Sequence, residues 1–383
     1  EVAFFPSNLY TQGKPFEACS RTILSRQVER AAKLGYKMNL GVETEFFMLR
    51  DEHESLARGG AAQGAPTGVS GIYTISDRDT LDKPCYDAAT AHDNFHWLIE
   101  LVDAMDELGW DVYSFDHEDA RSQFEIDFMY SDVLSMADRV AFFRYMAGDI
   151  ARKHGYFASF MPKPFANMSG SGAHMNMSLE DTATGKNLFE AQTPDEDVKG
   201  VGLTQLAVWF IGGILAHAPA ICLTIAPTVN SYKRLVRQGS MSGSTWAPIF
   251  VSYGNNNRTN MLRVPKAANR VECRATDIAF NPYLGSALML AAGLEGIEKQ
   301  IDPGDPHRDN LHKYTAEDVE RAGISLLPRD LGEACNAFAA DPLAREVFGD
   351  AMFQSYLSYK RREWEEFTSA VTDWERNRYL KFF

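Results

Sequence analysis

The segment Met38-Asn-Leu-Gly-Val-Glu-Thr-Glu-Phe-Phe-Met-Leu49 is typical of a β-strand, and a spacing of two places Glu43 and Glu45 on the same face of that strand. Three other segments alternate ionisable and apolar residues in the same way; they are Gln123–Tyr130, Ala173–Leu179 and Arg270–Arg274. The polar face of a single strand is normally exposed to solvent. Four such faces, rich in Glu, His and Arg, predict instead a sheet that surrounds a shared polar cavity.

Helices are predicted between these strands, because apolar residues recur three and four positions apart. The pattern is clearest for Phe95, Leu98, Ile99, Val102 and Met105. The predicted helices are Arg21–Leu34, His92–Leu108, Leu134–His154, Gly202–Ala218 and the tail Met352–Phe383. A Gly- and Ala-rich stretch, Arg58–Gly71, is predicted to be a surface loop that follows a strand.

The uncharged stretch Leu206–Ala226 is long enough to cross a bilayer. It contains His217, Pro219 and a pair of glycines, however, and the chain has no second run of this kind. We therefore interpret it as a buried helix that ends near Pro219 and is followed by a strand.

The chain has 383 residues, of which 45% are hydrophobic and 23% charged, a composition typical of a globular protein. Acidic residues outnumber Lys and Arg by 52 to 38, and the resulting net charge of −14 argues against binding to nucleic acid or to an anionic membrane. Five cysteines without a CxxC pair predict free thiols in a reducing compartment. No secretory signal is apparent, so we expect a cytoplasmic protein.

Five glutamates and one histidine are candidates for metal ligands; they are Glu43, Glu45, Glu118, Glu125, His174 and Glu272. Carboxylates on adjacent strands repel each other unless a cation neutralises them. Mg²⁺ and Mn²⁺ prefer carboxylate oxygens and tolerate one imidazole. A single glutamate of this set would be interpreted as a surface residue, and only the joint pattern indicates metal.

Several arginines accompany these acids in the sequence; they are Arg234, Arg258, Arg263, Arg270 and Arg274. Guanidinium groups bind carboxylates and phosphates through two parallel hydrogen bonds. Arginines together with divalent metals suit phosphoryl transfer, in which catalysis is mainly positioning and charge neutralisation. The chain has no Walker A motif, so a nucleotide would bind in another kind of cradle.

Five ordered blocks of the chain resemble the signature motifs of the glutamine synthetase family; they are Gly41–Phe47, Gln123–Asp127, Ser169–His174, Asn230–Arg234 and Arg270–Arg274 followed by Asn281–Leu284. The resemblance implies an α+β catalytic domain, with an antiparallel, barrel-like sheet that has a polar, metal-lined face and helices outside. It also implies a homododecamer of two stacked hexameric rings with sites between subunits. We expect residues 17–383 to form this domain and residues 1–16 to be a remnant of an N-terminal β-grasp domain, most of which is absent from the chain.

The resemblance also implies roles for individual residues. Glu45, Glu118 and Glu125 match the ligands of the metal near glutamate. Glu43, His174 and Glu272 match those of the metal between the ATP phosphates. Arg234 and Arg274 match the arginines that hold the glutamate carboxylates, and Gly170 matches the glycine that receives the substrate amino group. Arg258 and Arg263 match arginines that contact phosphate, and Asn176 and Ser178 match residues on the nucleotide side. The implied cofactors are ATP and two to three Mg²⁺ or Mn²⁺ ions per site.

The chain departs from ammonia-using members of the family in the flap that follows Arg234. It has no Asp or Glu between Leu235 and Asn257, whereas those enzymes carry a glutamate there. Trp246 could provide an apolar wall for an alkylamine, or it could simply pack. Ser169 stands where those members have Asn, and His312 replaces a tyrosine that some bacterial members adenylylate, so that form of regulation is not expected.

Further blocks, including Asp79–Tyr86 and Ser242–Pro248, resemble γ-glutamylmethylamide synthetases within the family. They imply an ATP-dependent ligase that joins glutamate to methylamine through γ-glutamyl phosphate. The alternatives left open are ammonia, isopropylamine, aniline and polyamines as the nitrogen donor. A guanidino kinase lacks this set of six ligands, and a non-catalytic relative would be expected to have lost some of them.

Overall fold

The computed structural model describes residues 3–52, 67, 69–81, 83–236, 247–267 and 269–383. Within these residues the main sheet has 11 strands, and the order along its path is β13-β10-β11-β12-β9-β3-β6-β5. The strands of this sheet are β3 Tyr36–Asp51, β4 Ile72–Thr74, β5 Val112–His117, β6 Gln123–Phe128, β7 Ser131–Asp132, β8 Phe157–Ser159, β9 Ala173–Asp181, β10 Phe250–Asn255, β11 Asn260–Val264, β12 Val271–Cys273 and β13 Ser325–Leu326. A separate hairpin consists of β1 Tyr10–Thr11 and β2 Lys14–Pro15.

The sheet is mainly antiparallel, as predicted, but β10 and β11 run parallel to each other. Its described path ends at β13 on one side and at β5 on the other, so in this part of the chain the sheet is open rather than a closed barrel. Strand β3 is its centre, because it pairs with β9 and β6 and also carries the short strands β4, β7 and β8.

The four segments predicted as strands with a polar face are all strands in the structure. In β3 the side chains of Val42, Phe46 and Met48 lie in the main hydrophobic core. In β6 the residues that alternate with Glu125, which are Phe124 and Ile126, are fully buried in the same core. Because side chains alternate along a strand, these apolar residues lie in the core on one face of the sheet, and the ionisable residues lie on the opposite face.

Twelve helices are described, and the first and fourth of them contact the central strand β3. They are α1 Ser20–Lys33, α2 Ala88–Asp93, α3 Phe95–Glu107, α4 Val133–Lys153, α5 Gln205–Ala216, α6 Ala218–Ile225, α7 Ser231–Arg234, α8 Pro282–Lys299, α9 Ala316–Arg321, α10 Leu331–Ala340, α11 Pro342–Ser369 and α12 Asp373–Tyr379, with a 3₁₀ turn at Leu311–Lys313. The helix predicted at His92–Leu108 is interrupted at Asn94, which ends α2 and precedes α3. The predicted helical tail forms α12 and the second part of α11, which is kinked at Gly349.

The prediction of a strand after Pro219 is wrong. Residues Ala218–Ile225 form a second helix, α6, at 77° to α5. Pro219 lies in the first turn of α6, where a missing N–H costs nothing because the first backbone donors of a helix have no partner within it. Among the described residues no single helix is long and apolar enough to cross a membrane, and only this bent pair has the combined length and composition.

Two predicted features lie wholly or mainly outside the described residues. The surface loop Arg58–Gly71 is described only at its C-terminal end and at Thr67. Trp246, the predicted wall of the amine site, is not among the described residues. All five cysteines are described and are free thiols; Cys85 is exposed and the others are buried.

Candidate active site

The register of the sheet brings the predicted ligands together on its polar face. Glu43 of β3 lies opposite His174 of β9, and Glu45 lies opposite Glu125 of β6. Glu272 of β12 completes the row, since β12 pairs with β9. The side chains of Glu43, Glu45, Glu125 and His174 line a cavity, together with Glu118, Arg234, Arg258 and Arg274.

The six candidate ligands form two groups, each with ligand atoms within 4.8 Å of one another. Glu43, His174 and Glu272 form one group, and Glu45, Glu118 and Glu125 form the other. These are the same two sets that the family resemblance implied. Oxygen-rich sets with at most one imidazole suit a hard divalent cation.

Sequence reasoning missed a third group of acids, which consists of Asp116, Glu125 and Asp127. Asp116 of β5 lies directly opposite Glu125 in the register. The alternation of β6 had already placed Asp127 on the polar face. Nothing in the sequence indicated that β5 is the neighbour of β6 at that position.

Burial and mutual repulsion make several of these carboxylates hard to ionise. The pKa of Glu43 is raised to about 7 by burial and by the charge of Glu272. The pKa of Glu118 is raised to about 8 by burial and by Glu45, and that of Glu125 is raised well above its usual range for the same two reasons. A cation would relieve this repulsion. The buried Nδ1 of His174 also has no hydrogen-bond partner among the described residues, so the donor set fits a divalent ion.

Two other members of the groups are already stabilised as carboxylates. Burial opposes the ionisation of Glu45, but His174, at 3.2 Å, and the backbone N–H of Gly172, at 2.7 Å, lower the pKa of Glu45 to about 2. Burial likewise opposes the ionisation of Glu272, but the charges of Arg274, His174 and Arg263 lower its pKa.

The predicted arginines differ in their surroundings. Arg234 is buried and donates hydrogen bonds to the carbonyl oxygens of Ala275 and Arg274. Arg258 and Arg274 line the cavity, and Arg274 also pairs with Glu272. Arg263 instead donates to Glu272 at 2.6 Å and to Asn256 at 2.7 Å. Its guanidinium is therefore held against a candidate metal ligand.

The predicted nucleotide-side residues line a second cavity, which shares Glu43 with the first. Asn176 and Ser178, on β9, lie in this cavity together with Arg270 and Tyr113. Arg270 donates to the side-chain oxygen of Asn176 at 2.8 Å, and Asn176 donates to Glu43 at 2.9 Å. This chain of hydrogen bonds connects the second cavity to a candidate metal ligand.

Gly170 occupies a position at which a side chain does not fit. A Cβ atom there would lie 2.5 Å from the carbonyl oxygen of Pro162 and 3.1 Å from Cγ of Arg234. The carbonyl oxygen of Gly170 accepts a hydrogen bond from the side chain of Gln123 at 3.1 Å. Gly170 thus allows Arg234 to pass close to the backbone at the cavity wall.

Comparison with known proteins agrees with this architecture. A profile described as glutamine synthetase, catalytic domain, matches residues 17–379. The chain is 40% identical to a glutamate–methylamine ligase of Methyloversatilis universalis, over 98% of this chain and 79% of that protein. It is 39% identical to a glutamine synthetase of Rhizobium leguminosarum bv. phaseoli, over 98% and 80% of the two chains. A solved structure of GmaS in complex with ADP has a TM-score of 0.85 and 38% identity, and covers 98% of this chain and 80% of its own.

These matches define an ATP-dependent ligase that acts on small molecules, in a class that uses divalent metal. The chain belongs to the glutamine synthetase family. The predicted fold class is confirmed. The predicted resemblance to γ-glutamylmethylamide synthetases is confirmed by the matches to the glutamate–methylamine ligase and to GmaS.

Proposed function

We propose that the enzyme joins the γ-carboxylate of glutamate to methylamine through γ-glutamyl phosphate, giving γ-glutamylmethylamide, ADP and phosphate. The observation that carries this proposal is the 40% identity with a glutamate–methylamine ligase along nearly the whole chain. The two ligand groups beside a cavity lined by arginines support it, since the reaction combines phosphoryl transfer with binding of a dicarboxylate.

In this proposal Glu45, Glu118 and Glu125 would hold a divalent ion near glutamate, and Glu43, His174 and Glu272 would hold one at the ATP phosphates. The proposed total is two to three Mg²⁺ or Mn²⁺ ions per site. The bound ions would neutralise charge on the phosphates. Asn176 and Ser178 contact the nucleotide in the second cavity.

Arg234 and Arg274 bind the carboxylates of glutamate, and the carbonyl oxygen of Gly170 receives its amino group. Arg258 and Arg263 bind phosphate. The γ-carboxylate then attacks the terminal phosphate of ATP in line. Arg258 stabilises the charge that develops on the phosphoryl oxygens. A neutral amine next attacks the acyl phosphate, and phosphate leaves.

We further propose, from the same family membership, a homododecamer of two hexameric rings in the cytoplasm. The assignment of residues 1–16 to a remnant of a β-grasp domain stays a prediction.

The amine specificity is tested by phosphate release from ATP with glutamate and a panel of amines. We expect methylamine to give the highest kcat/KM, above ammonia, isopropylamine, aniline and putrescine. The flap between Leu235 and Asn257 carries no acidic group for a small inorganic cation. If ammonia gave the highest kcat/KM, the proposed reaction would be glutamine synthesis instead of γ-glutamylmethylamide synthesis. If no amine gave turnover, the ligase proposal would be refuted.

Trp246→Ala should shift the preference among amines if the Trp246 side chain forms an apolar wall of the amine site.

Metal binding should also change how stability depends on pH. A carboxyl group whose pKa is raised in the folded protein stabilises it while protonated, and this contribution is lost as the pH rises through the raised pKa. The pKa is about 7 for Glu43 and about 8 for Glu118, so this stabilisation is lost between about pH 5 and pH 8. We expect the melting temperature of the metal-free protein to fall over this range, and millimolar Mn²⁺ to remove most of the fall.

His217 also contributes to the pH dependence of stability, and the variant Glu118→Gln distinguishes this contribution from that of the carboxyl groups. Burial lowers the pKa of His217, but Asp341 and Glu295, each at 2.7 Å, raise it above its ordinary value, so its stabilisation is also lost as the pH rises. Mn²⁺ should not affect this cluster. Glu118→Gln, which mimics the protonated carboxyl group, should flatten the pH dependence of the metal-free protein. An equal fall with and without Mn²⁺ would contradict the metal assignment.

A further inference from the structure

Glu118 differs from the other five candidate ligands in the way its backbone is held. The other five lie on strands of the main sheet, where pairing with neighbouring strands fixes their direction. They are Glu43 and Glu45 on β3, Glu125 on β6, His174 on β9 and Glu272 on β12. Glu118 instead follows β5, which ends at His117, and lies in the turn that leads to Gln123 at the start of β6. The direction of the Glu118 side chain therefore depends on the contacts of this turn with other parts of the chain.

The buried carboxylate of Asp79 contacts both ends of the turn. One of its oxygens, Oδ2, accepts hydrogen bonds from the backbone N–H of Ser122 and, at 3.3 Å, from the hydroxyl group of Ser122. Nε2 of His117 lies 3.4 Å from the same oxygen. Ser122 has a φ of 56°, which is uncommon for a residue other than glycine and persists where surrounding contacts hold it. Asp79, which is 1% exposed, thus connects the residue before Glu118 with the far end of the turn.

His117 transmits this contact to the backbone of Glu118. Nδ1 of the His117 ring lies 3.0 Å from the carbonyl oxygen of Glu118, and Nδ1 is the donor because a carbonyl oxygen only accepts. The ring is completely buried and packs edge-on against Phe124, with 5.1 Å between the ring centroids. Contacts with Asp79, Glu118 and Phe124 therefore hold the ring in one orientation.

The peptide group between Glu118 and Asp119 connects this ring to the candidate ligand. Its carbonyl oxygen accepts from Nδ1 of His117, and its N–H donates to the carboxylate of Glu118 at 3.1 Å. A peptide group is planar, so the hydrogen bond that fixes its oxygen also fixes the direction of its N–H. The same carboxylate lies with Glu45 and Glu125 in one ligand group. A rotation of this peptide group would therefore move the Glu118 carboxylate out of its position in the group.

We propose that Asp79 is a positioning residue for the metal site: through His117 and the peptide group that follows Glu118, it orients the Glu118 carboxylate toward a divalent ion. This inference rests on the proposed function, in which Glu118 is a ligand of the ion near glutamate. Asp79 begins one of the blocks that resemble γ-glutamylmethylamide synthetases, and Tyr86, at the end of that block, donates its N–H to the carbonyl oxygen of His117 at 2.9 Å. Both ends of the block thus contact His117.

The test is a double-mutant cycle of Asp79→Asn and Glu118→Gln, with the affinity for Mn²⁺ measured by calorimetry on the protein without nucleotide. Asparagine keeps the volume of Asp79 and one acceptor oxygen but removes the negative charge. Loss of a residue that orients a metal ligand typically weakens metal binding by about 10- to 100-fold, so we expect Asp79→Asn to weaken Mn²⁺ binding about 10-fold. In the Glu118→Gln background the ligand that Asp79 orients is already lost, and Asp79→Asn should change the affinity less than about twofold.

Two further variants control the cycle. Asp330→Asn removes a carboxylate that accepts from the N–H of Glu333 at 2.8 Å at the start of α10, and it should leave the affinity for Mn²⁺ unchanged. His117→Asn retains an amide donor in place of Nδ1 but does not reach Asp79, so it should weaken Mn²⁺ binding in the same direction as Asp79→Asn. His117→Asn takes the place of Asp79→Asn in the cycle if that variant does not fold.

The outcomes distinguish this inference from the proposed function. An unchanged affinity for Mn²⁺ in Glu118→Gln would show that Glu118 is not a ligand, and the metal assignment of the proposed function would fail. If Glu118→Gln weakened binding and Asp79→Asn did not, only the positioning role of Asp79 would be refuted. If Asp79→Asn weakened binding equally with and without Glu118→Gln, its effect would be a general disturbance of the sheet, and the inference would also be overturned.

Discussion

Glu272→Ala is expected to abolish turnover, with kcat falling by about 10³-fold or more. Glu272 is fully buried, belongs to the ligand group with Glu43 and His174, and pairs with Arg263 and Arg274. Its removal takes a ligand from the ion at the phosphates and leaves two guanidinium groups without their partner. Each loss affects the neutralisation of charge in the transition state. The measurement is phosphate release under saturating ATP, glutamate and methylamine.

The alanine variant should also be less stable, since removing one partner of a buried ion pair costs about 3–5 kcal/mol. Glu272→Gln preserves the volume of the side chain and keeps the test interpretable if the alanine variant does not fold. We expect the glutamine variant to fold, to bind Mn²⁺ more weakly in calorimetry, and to lose most of its activity. A glutamine variant with wild-type Mn²⁺ affinity and full turnover would refute the role of Glu272 as a ligand.

Much of the architecture was predictable from the sequence, because the signals involved are local. Alternation in Met38–Leu49 and Gln123–Tyr130 defined both the strands and the face that each strand turns to the core. For the uncharged stretch after Leu206 the prediction of a strand was wrong, because a continuous apolar run has no period that distinguishes a helix from a strand. Only the position of Pro219 indicated the start of a helix.

The residues of the site could be predicted from the sequence, but the contacts between them could be predicted only in part. Which glutamates share an ion depends on the register between strands, and the grouping came from the family resemblance rather than from spacing. The same limit applies to Arg263, which lies directly opposite Glu272 in the pairing of β11 with β12. It applies also to Asp119, whose partner Ser169 is 50 residues away in the chain. Contacts of this kind depend on tertiary structure, and no local pattern specifies them.

Gly172→Ala is the second substitution with a large expected effect, because it disturbs both halves of the site at once. A Cβ atom at this position would lie 2.8 Å from Nη2 of Arg234, 2.8 Å from Cε1 of His174 and 3.0 Å from Oε1 of Glu45. The backbone N–H of Gly172 also donates to Glu45 at 2.7 Å, so the added methyl group cannot be accommodated by moving Glu45 alone. We expect kcat/KM for glutamate to fall by about 10²-fold or more, since small displacements of positioned groups are costly in catalysis.

The matched control for this substitution is Gly148→Ala in α4, where an added Cβ meets no atom within 4 Å. There the change should leave kcat/KM unaltered and stabilise the protein by about 0.5–1 kcal/mol, because alanine favours a helix more than glycine does. Comparison of the two variants by kinetics and thermal unfolding separates the steric effect in the site from the general effect of replacing a glycine. If Gly172→Ala behaved like Gly148→Ala, then Arg234, His174 and Glu45 would not need to converge as closely as the geometry indicates, and the assignment of substrate and metal to this wall would fail.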